Sequence, residues 1–156
     1  MQKTLFFAAA LGLLASCSSS TPIGPSDVVC PDFLLTYGAA TGDTVTADQG
    51  LKYIEISPGS GTTAAAGMTV DVNYSGYLVS GTRFDTSCGA GTPVYRVQLG
   101  GGAVIPGFDL GIRGMQPGGV RRVIVPPALG YGNVPNGPIP ANSTLVFDIE
   151  LVDIVD

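Results

Sequence analysis

The sequence contains no histidine, and this absence excludes a large part of enzyme chemistry. Serine–histidine and cysteine–histidine catalysis, HExxH zinc sites and every other mechanism that uses an imidazole are unavailable to the chain. Basic residues are also scarce, since 7 Lys and Arg accompany 12 Asp and Glu and the formal net charge is −5. A surface of this sign repels phosphate backbones. The basic pair Arg121–Arg122 lies inside a predicted strand, so the sequence predicts no nucleic-acid partner.

The N-terminal apolar run, residues 5–15, is too short to span a bilayer as a helix, for which about 20 residues are needed. With Lys3 before it and serines after it, the run is typical of a signal peptide. Its end, "LASC", resembles the bacterial lipobox. The resemblance implies a lipoprotein signal peptide over residues 1–16 and a lipid on Cys17. An ordinary secretory signal followed by a chance cysteine is the alternative.

Several expectations depend on the lipobox. Because Ser18 follows the cysteine, the resemblance implies a bacterial cell-envelope protein in the outer membrane, facing the periplasm and touching the membrane through its lipid only. Residues 17–29 form the lipidated cysteine and a flexible tether rich in Ser, Pro and Gly. Cys30 and Cys88 then remain as an even pair outside the cytosol. Such a pair is most simply a disulfide, and two separate thiols are the alternative.

The 23 glycines and 12 prolines predict many tight turns and short strands. Apolar and polar residues alternate over residues 70–78 and 145–151, as in half-buried strands. Residues 50–56, 93–99 and 120–126 are three further strand candidates. After a 30–49 N-terminal extension, the sequence therefore predicts one domain over residues 50–156.

One segment has helical spacing instead. Its apolar residues are three or four positions apart, and Pro106 and Gly114 provide start and stop signals. The spaced residues are Ile105, Phe108, Ile112 and Met115. We therefore predict an α+β fold, a five-stranded antiparallel sheet wrapped around one short helix.

Three segments of this domain resemble the FKBP-type peptidyl-prolyl cis-trans isomerases: "VDVNYSGYLVSGTRFDTS" (70–87), "VIPGFDLGIRGM" (104–115) and "IPANSTLVFDIEL" (139–151). The resemblance implies the FKBP fold and a pocket of two residue groups. The catalytic group is Tyr74, Phe84, Asp85, Ile105, Tyr131 and Phe147, and the substrate-binding group is Tyr95, Val104, Phe108 and Ile139. Two positions depart from the family. Phe108 stands where members usually carry tryptophan, and the loop after Asp85 lacks the arginine that members often carry.

The resemblance implies an enzyme that accelerates isomerisation of X-Pro bonds in exported proteins by non-covalent binding in an apolar aromatic pocket. This chemistry requires no cofactor and no metal. The implied partners are proline-containing polypeptides and the family's macrolide inhibitors. We expect a monomer, because the chain lacks the long helical extension of dimerising envelope relatives. A non-catalytic FKBP-like binding module and a lipoprotein that merely shares the fold are the alternatives.

Overall fold

The computed structural model describes residue 30 and residues 37–89 and 93–155. The predicted signal peptide, the lipidation residue Cys17 and the tether up to residue 29 lie outside the described residues. Within the described part of the chain, no helix is long and apolar enough to cross a membrane.

The described residues form one antiparallel sheet of seven strands and one α-helix. In chain order these are β1 (Thr44–Thr46), β2 (Lys52–Ser57), β3 (Thr69–Leu78), β4 (Arg83–Thr86), β5 (Tyr95–Gln98), α1 (Pro106–Ile112), β6 (Val120–Val125) and β7 (Leu145–Ile154). The strand order is β1-β2-β6-β7-β3-β4, and β5 also pairs with β3. Short 3-10 turns at Asp48–Gly50 and Pro127–Leu129 complete the assigned elements.

The α+β class, the five predicted strands and the short helix are confirmed. The sheet has seven strands, two more than predicted. The two additional strands are β1 and β4. The strand β1 has three residues, all exposed, and is too short for the apolar–polar alternation on which strand prediction depends. The pairing of β4 with β3 is interrupted by a register shift, which breaks the period of two that strand prediction uses.

The helix α1 lies against one face of the sheet, which we call the core face. Phe108, Ile112 and Met115 are buried there, as their helical spacing predicts. Two glycines permit close approach to β6. A Cβ atom on Gly107 would lie 2.2 Å from Val125 Cγ1, and one on Gly111 would lie 2.7 Å from Val123 Cγ1.

The basic pair on β6 points to opposite faces of the sheet. Arg121 donates 3.0 Å hydrogen bonds to the carbonyls of Gly111 and Arg113 at the end of α1, which satisfies acceptors that a helix leaves unpaired. Arg122 lies on the opposite face, which we call the outer face. It forms a bidentate ion pair with the fully buried Asp148, with distances of 2.6 and 2.7 Å.

The predicted N-terminal extension packs onto this outer face. Arg122 also donates to the carbonyl of Gly38 and lies 5.1 Å from the centre of the Tyr37 ring. The Tyr37 ring in turn contacts the Tyr77 ring, with 5.1 Å between their centres. The boundary at residue 50 stays a prediction, but residues before it are packed against the sheet.

A disulfide joins Cys30 to Cys88, with 5.7 Å between their Cα atoms. The predicted pairing is thereby present in the structure. Since Cys88 lies two residues after the end of β4, the bond links the start of the described chain to the loop that follows that strand. It closes a sequence separation of 58 residues.

Candidate functional site

A cavity of about 370 Å³ opens between α1 and the strands β3, β4, β5 and β7. It is lined by Tyr74, Asp85, Tyr95, Ala103, Val104, Ile105, Phe108, Tyr131 and Phe147. The lining is mostly aromatic and aliphatic, with three tyrosine hydroxyls and one carboxylate. Small-molecule and peptide sites commonly have this composition, in which few polar groups fix orientation.

The aromatic wall is built edge to face. The ring of Phe108 on α1 is 5.2 Å from that of Tyr74 on β3 and 5.2 Å from that of Phe147 on β7, at interplanar angles of 75° and 78°. Tyr95 packs against Tyr74 with 5.5 Å between ring centres. Because each of these rings contacts at least one other, they form a continuous apolar surface.

A β-bulge places two neighbouring residues of β4 on the same side of the sheet. Asp85 pairs with Gly76, whereas Arg83 pairs with Tyr77, so Phe84 is the additional residue. The Phe84 ring packs over Gly76 and against Phe147, with 5.7 Å between the centres of the two phenylalanine rings. The bulge therefore brings both Phe84 and Asp85 to the core face.

Asp85 is held by two neutral donors. The Tyr74 hydroxyl donates to its Oδ2 and the Thr86 backbone N–H donates to its Oδ1, each at 2.8 Å. These donors orient the carboxylate, although the loop after Asp85 lacks the arginine that members of the family often carry. Burial raises the pKa of Tyr74, and the hydrogen bond to Asp85 adds to the shift, so Tyr74 keeps its proton at neutral pH.

The Thr86 side chain connects this pair to the disulfide loop. Its hydroxyl donates to the Tyr74 carbonyl at 3.0 Å and accepts from the Cys88 backbone N–H at 3.0 Å. The Ser87 hydroxyl accepts from the Tyr74 backbone N–H at 2.8 Å. The three residues that follow Asp85 in the sequence, Thr86, Ser87 and Cys88, therefore hold the start of the loop against β3.

Eight of the ten residues predicted from the resemblance line the cavity. The other two, Phe84 and Ile139, are outside the lining set. The Phe84 ring packs against Phe147, which does line the cavity, and Ile139 is 4% exposed within the main hydrophobic core. Ala103 also lines the cavity but was not predicted. Its position directly before Val104 was the available signal.

Two further observations bear on chemistry. Within the described residues, no three Cys, Asp or Glu side chains are grouped to hold a metal ion. The Ile105 backbone N–H, at the start of α1, donates to no backbone carbonyl of the described chain, although the Ile105 carbonyl accepts from Phe108 and Asp109. It is therefore available to a bound molecule.

A family model described as FKBP-type peptidyl-prolyl cis-trans isomerase matches residues 60–152. "FK506-binding protein 4" of Mycosarcoma maydis is 48% identical over 111 residues, which are 71% of this chain and 29% of that protein. "FKBP-type peptidyl-prolyl cis-trans isomerase FkpA" of Escherichia coli K12 is 41% identical over 109 residues, 70% of this chain and 39% of that protein. The chain thus spans less than half the length of these relatives.

Solved structures are similar at the level of the fold. The crystal structure of FkpA from Escherichia coli has a TM-score of 0.65 and 40% identity, covering 71% of this chain and 51% of that one. The crystal structure of AtFKBP13 has a TM-score of 0.67 and 32% identity, covering 72% and 99%. With the sheet, the helix and the aromatic cavity, these similarities establish that the chain belongs to the FKBP-type peptidyl-prolyl cis-trans isomerase family.

Proposed function

We propose that this protein accelerates cis-trans isomerisation of X-Pro bonds in polypeptides that bind non-covalently in the aromatic cavity. The observation that carries the proposal is the cavity itself: three aromatic rings in edge-to-face contact, Tyr74, Phe108 and Phe147, with few polar groups at its rim. A proline ring is apolar and compact, and it fits a site of this size and composition.

The physical chemistry of the reaction supports the same conclusion. Rotation about the X-Pro bond is slow because it breaks amide resonance, with a barrier of about 18–20 kcal/mol. No proton is transferred and no other bond is broken, so catalysis needs neither a nucleophile nor an imidazole. An apolar cavity destabilises the planar, charge-separated amide and favours the twisted one, which is differential binding of the transition state.

In this mechanism Val104, Phe108 and Phe147 surround the proline ring. The Ile105 N–H and the Tyr131 hydroxyl donate to substrate carbonyls, and the Tyr74–Asp85 pair forms the polar side of the cavity. Tyr131 is 37% exposed and extends from the segment after β6, where it can reach a bound chain. Asp85 acts by its charge and shape, because amide rotation requires no acid or base.

We also propose that the protein works in a bacterial envelope, as a monomer anchored by lipid on Cys17 in the outer membrane, on exported proteins. The lipobox-like "LASC" and the Cys30–Cys88 disulfide support this location, since disulfides persist outside the cytosol. Metabolic labelling with a fatty-acid analogue tests the anchor: labelling lost in Cys17→Ser supports it, and an unlabelled native protein contradicts it. Sedimentation of the purified protein tests the monomer.

The activity is tested on a proline-containing peptide whose cis and trans forms give different fluorescence. We expect acceleration by the native protein, a loss of at least about tenfold in kcat/KM with Phe108→Ala, and a loss of about three- to tenfold with Tyr131→Phe. An excess of a macrolide inhibitor of the family should compete with the peptide. Binding without acceleration would instead support the non-catalytic module, for which Phe108 in place of the usual tryptophan is the supporting observation.

A further inference from the structure

The cavity lining carries one charged side chain, that of Asp85. This residue is exposed, and both donors to its carboxylate, the Tyr74 hydroxyl and the Thr86 N–H, are neutral. The two hydrogen bonds orient the carboxylate but add no positive charge to it. The rim of the cavity therefore presents one negative charge to a bound polypeptide.

Most basic side chains of the domain form ion pairs with carboxylates other than Asp85. Four arginines form ion pairs with other carboxylates: Arg96 with Asp71, Arg113 with Asp109, Arg121 with Glu55 and Arg122 with Asp148. Lys52 lies on β2, and β2 and β4 are near opposite ends of the sheet. None of these five cations is positioned to neutralise Asp85.

Arg83 is the basic residue nearest to Asp85 in sequence, and the β-bulge separates the two. Because Arg83 pairs with Tyr77, it shares the outer face with that residue, whereas Asp85 shares the core face with Gly76. The neighbouring residues 90–92 read Ala-Gly-Thr and carry no charge. Among the described side chains, Asp85 has no ion-pair partner.

We propose that Asp85 determines substrate selectivity, so that the protein prefers polypeptide segments with Lys or Arg adjacent to the proline and disfavours those with Asp or Glu there. This inference rests on the proposed isomerase function and names its substrate class. A unit charge about 6 Å from the carboxylate at a solvated rim changes binding by about three- to tenfold at low salt. The effect decreases as salt screens the pair.

Four otherwise identical peptides test the inference, with Lys, norleucine, Glu or Gln next to the proline. Norleucine keeps most of the lysine stem and Gln keeps the shape of Glu, so each pair differs mainly in charge. NMR measurements of cis-trans exchange at equilibrium give kcat/KM for each peptide. They need no coupling protease, whose own charge preference would distort the comparison. We expect kcat/KM to be about three- to tenfold higher for the Lys peptide than for the norleucine peptide, and for the Gln peptide than for the Glu peptide. Both of these kcat/KM ratios should approach one at about 0.5 M NaCl.

Asp85→Asn removes the charge and keeps the shape of the side chain. Because Asp85 belongs to the cavity, the absolute rate can fall in this variant, so the readout is the two ratios and not the rate. Both should fall to about one. Asp43→Asn is the matched control: it removes the same charge from an exposed residue before β1, at the opposite edge of the sheet, and should retain both ratios.

If the native protein accelerates the norleucine and Gln peptides but both kcat/KM ratios equal one, the inference is overturned and the proposed function stands. Ratios that persist in Asp85→Asn overturn it equally. If no peptide is accelerated, the proposed function fails separately. In that case the dissociation constants of the same four peptides, measured by NMR titration, test the selectivity. Equal constants for Lys and norleucine, and for Glu and Gln, overturn the inference.

Discussion

The Tyr74 hydroxyl lies 2.8 Å from Asp85 Oδ2 and donates a hydrogen bond to it across the pair of strands β3 and β4. The contact links the aromatic wall of the cavity to its charged rim. It also explains how Asp85 is oriented although the loop after it lacks the arginine that members of the family often carry. Four predictions concern the proton on Tyr74, the packing at Gly76, the disulfide and the N-terminal boundary.

The first concerns the proton on Tyr74. Burial and Asp85 raise its pKa in the folded state above the value of about 10 expected in the unfolded chain. The stability from this shift is therefore fully present below about pH 10 and is lost as the pH rises towards the folded-state pKa. We expect the free energy of unfolding to fall above pH 10 and to fall less steeply in Tyr74→Phe.

Urea titrations at a series of alkaline pH values measure this dependence. Tyr131→Phe is the control, since it removes a tyrosine of the same cavity that is 37% exposed and has no hydrogen bond to Asp85. Equal pH slopes for Tyr74→Phe and the native protein would show that Tyr74 is not shifted.

The second prediction concerns Gly76, which lies under the cavity ring of Phe147 and the ring of Phe84 that packs against it. A Cβ atom there would be 2.7 Å from Phe84 Cζ and 3.0 Å from Phe147 Cε1. Gly76→Ala should therefore displace both rings, reduce stability by about 1–3 kcal/mol and weaken peptide binding. Gly38→Ala is the control, because a Cβ there has no atom within 4 Å. Peptide affinity unchanged by Gly76→Ala would contradict the proposed supporting role of Phe84.

The third prediction concerns the disulfide. Closing a separation of 58 residues restricts the unfolded chain by about 4 kcal/mol on the loop-entropy model. The paired change Cys30→Ser, Cys88→Ser should lower the unfolding free energy by up to this amount, as measured by chemical denaturation. Cys17→Ser is the matched control and should leave stability unchanged. Counting of two additional reactive thiols in the non-reduced native protein would refute the pairing.

The fourth prediction concerns the N-terminal boundary. A chain that begins at residue 50 loses the Gly38 carbonyl and the Tyr37 ring, which both contact the buried Arg122. We expect it to be less stable than a chain that begins at residue 37 by about 2–4 kcal/mol. Thermal and chemical unfolding of both chains measure the difference. Equal stability would support the predicted domain start at residue 50.

Much of the site could be predicted because its residues occur in short ordered segments. The aromatic Tyr74, the helix start at Ile105 and the strand residue Phe147 each belong to a segment that resembles the family, and all three line the cavity. Phe84 and Ile139 were predicted in the same way, yet they support the site from the core. A sequence motif identifies which residues are near a pocket, but side-chain packing determines which of them reach its surface.

Local periodicity and contiguous motifs were enough to predict the family, the α+β class, five strands, the short helix and most of the cavity residues. The orientation of Asp85, the direction of Arg83 and the contacts of the N-terminal extension became known only from the folded chain. The bulge in β4 interrupts the period of two, and the partners of Asp85 and Arg122 are distant in sequence. Such contacts depend on strand register and chain packing, which alternation along one strand does not encode.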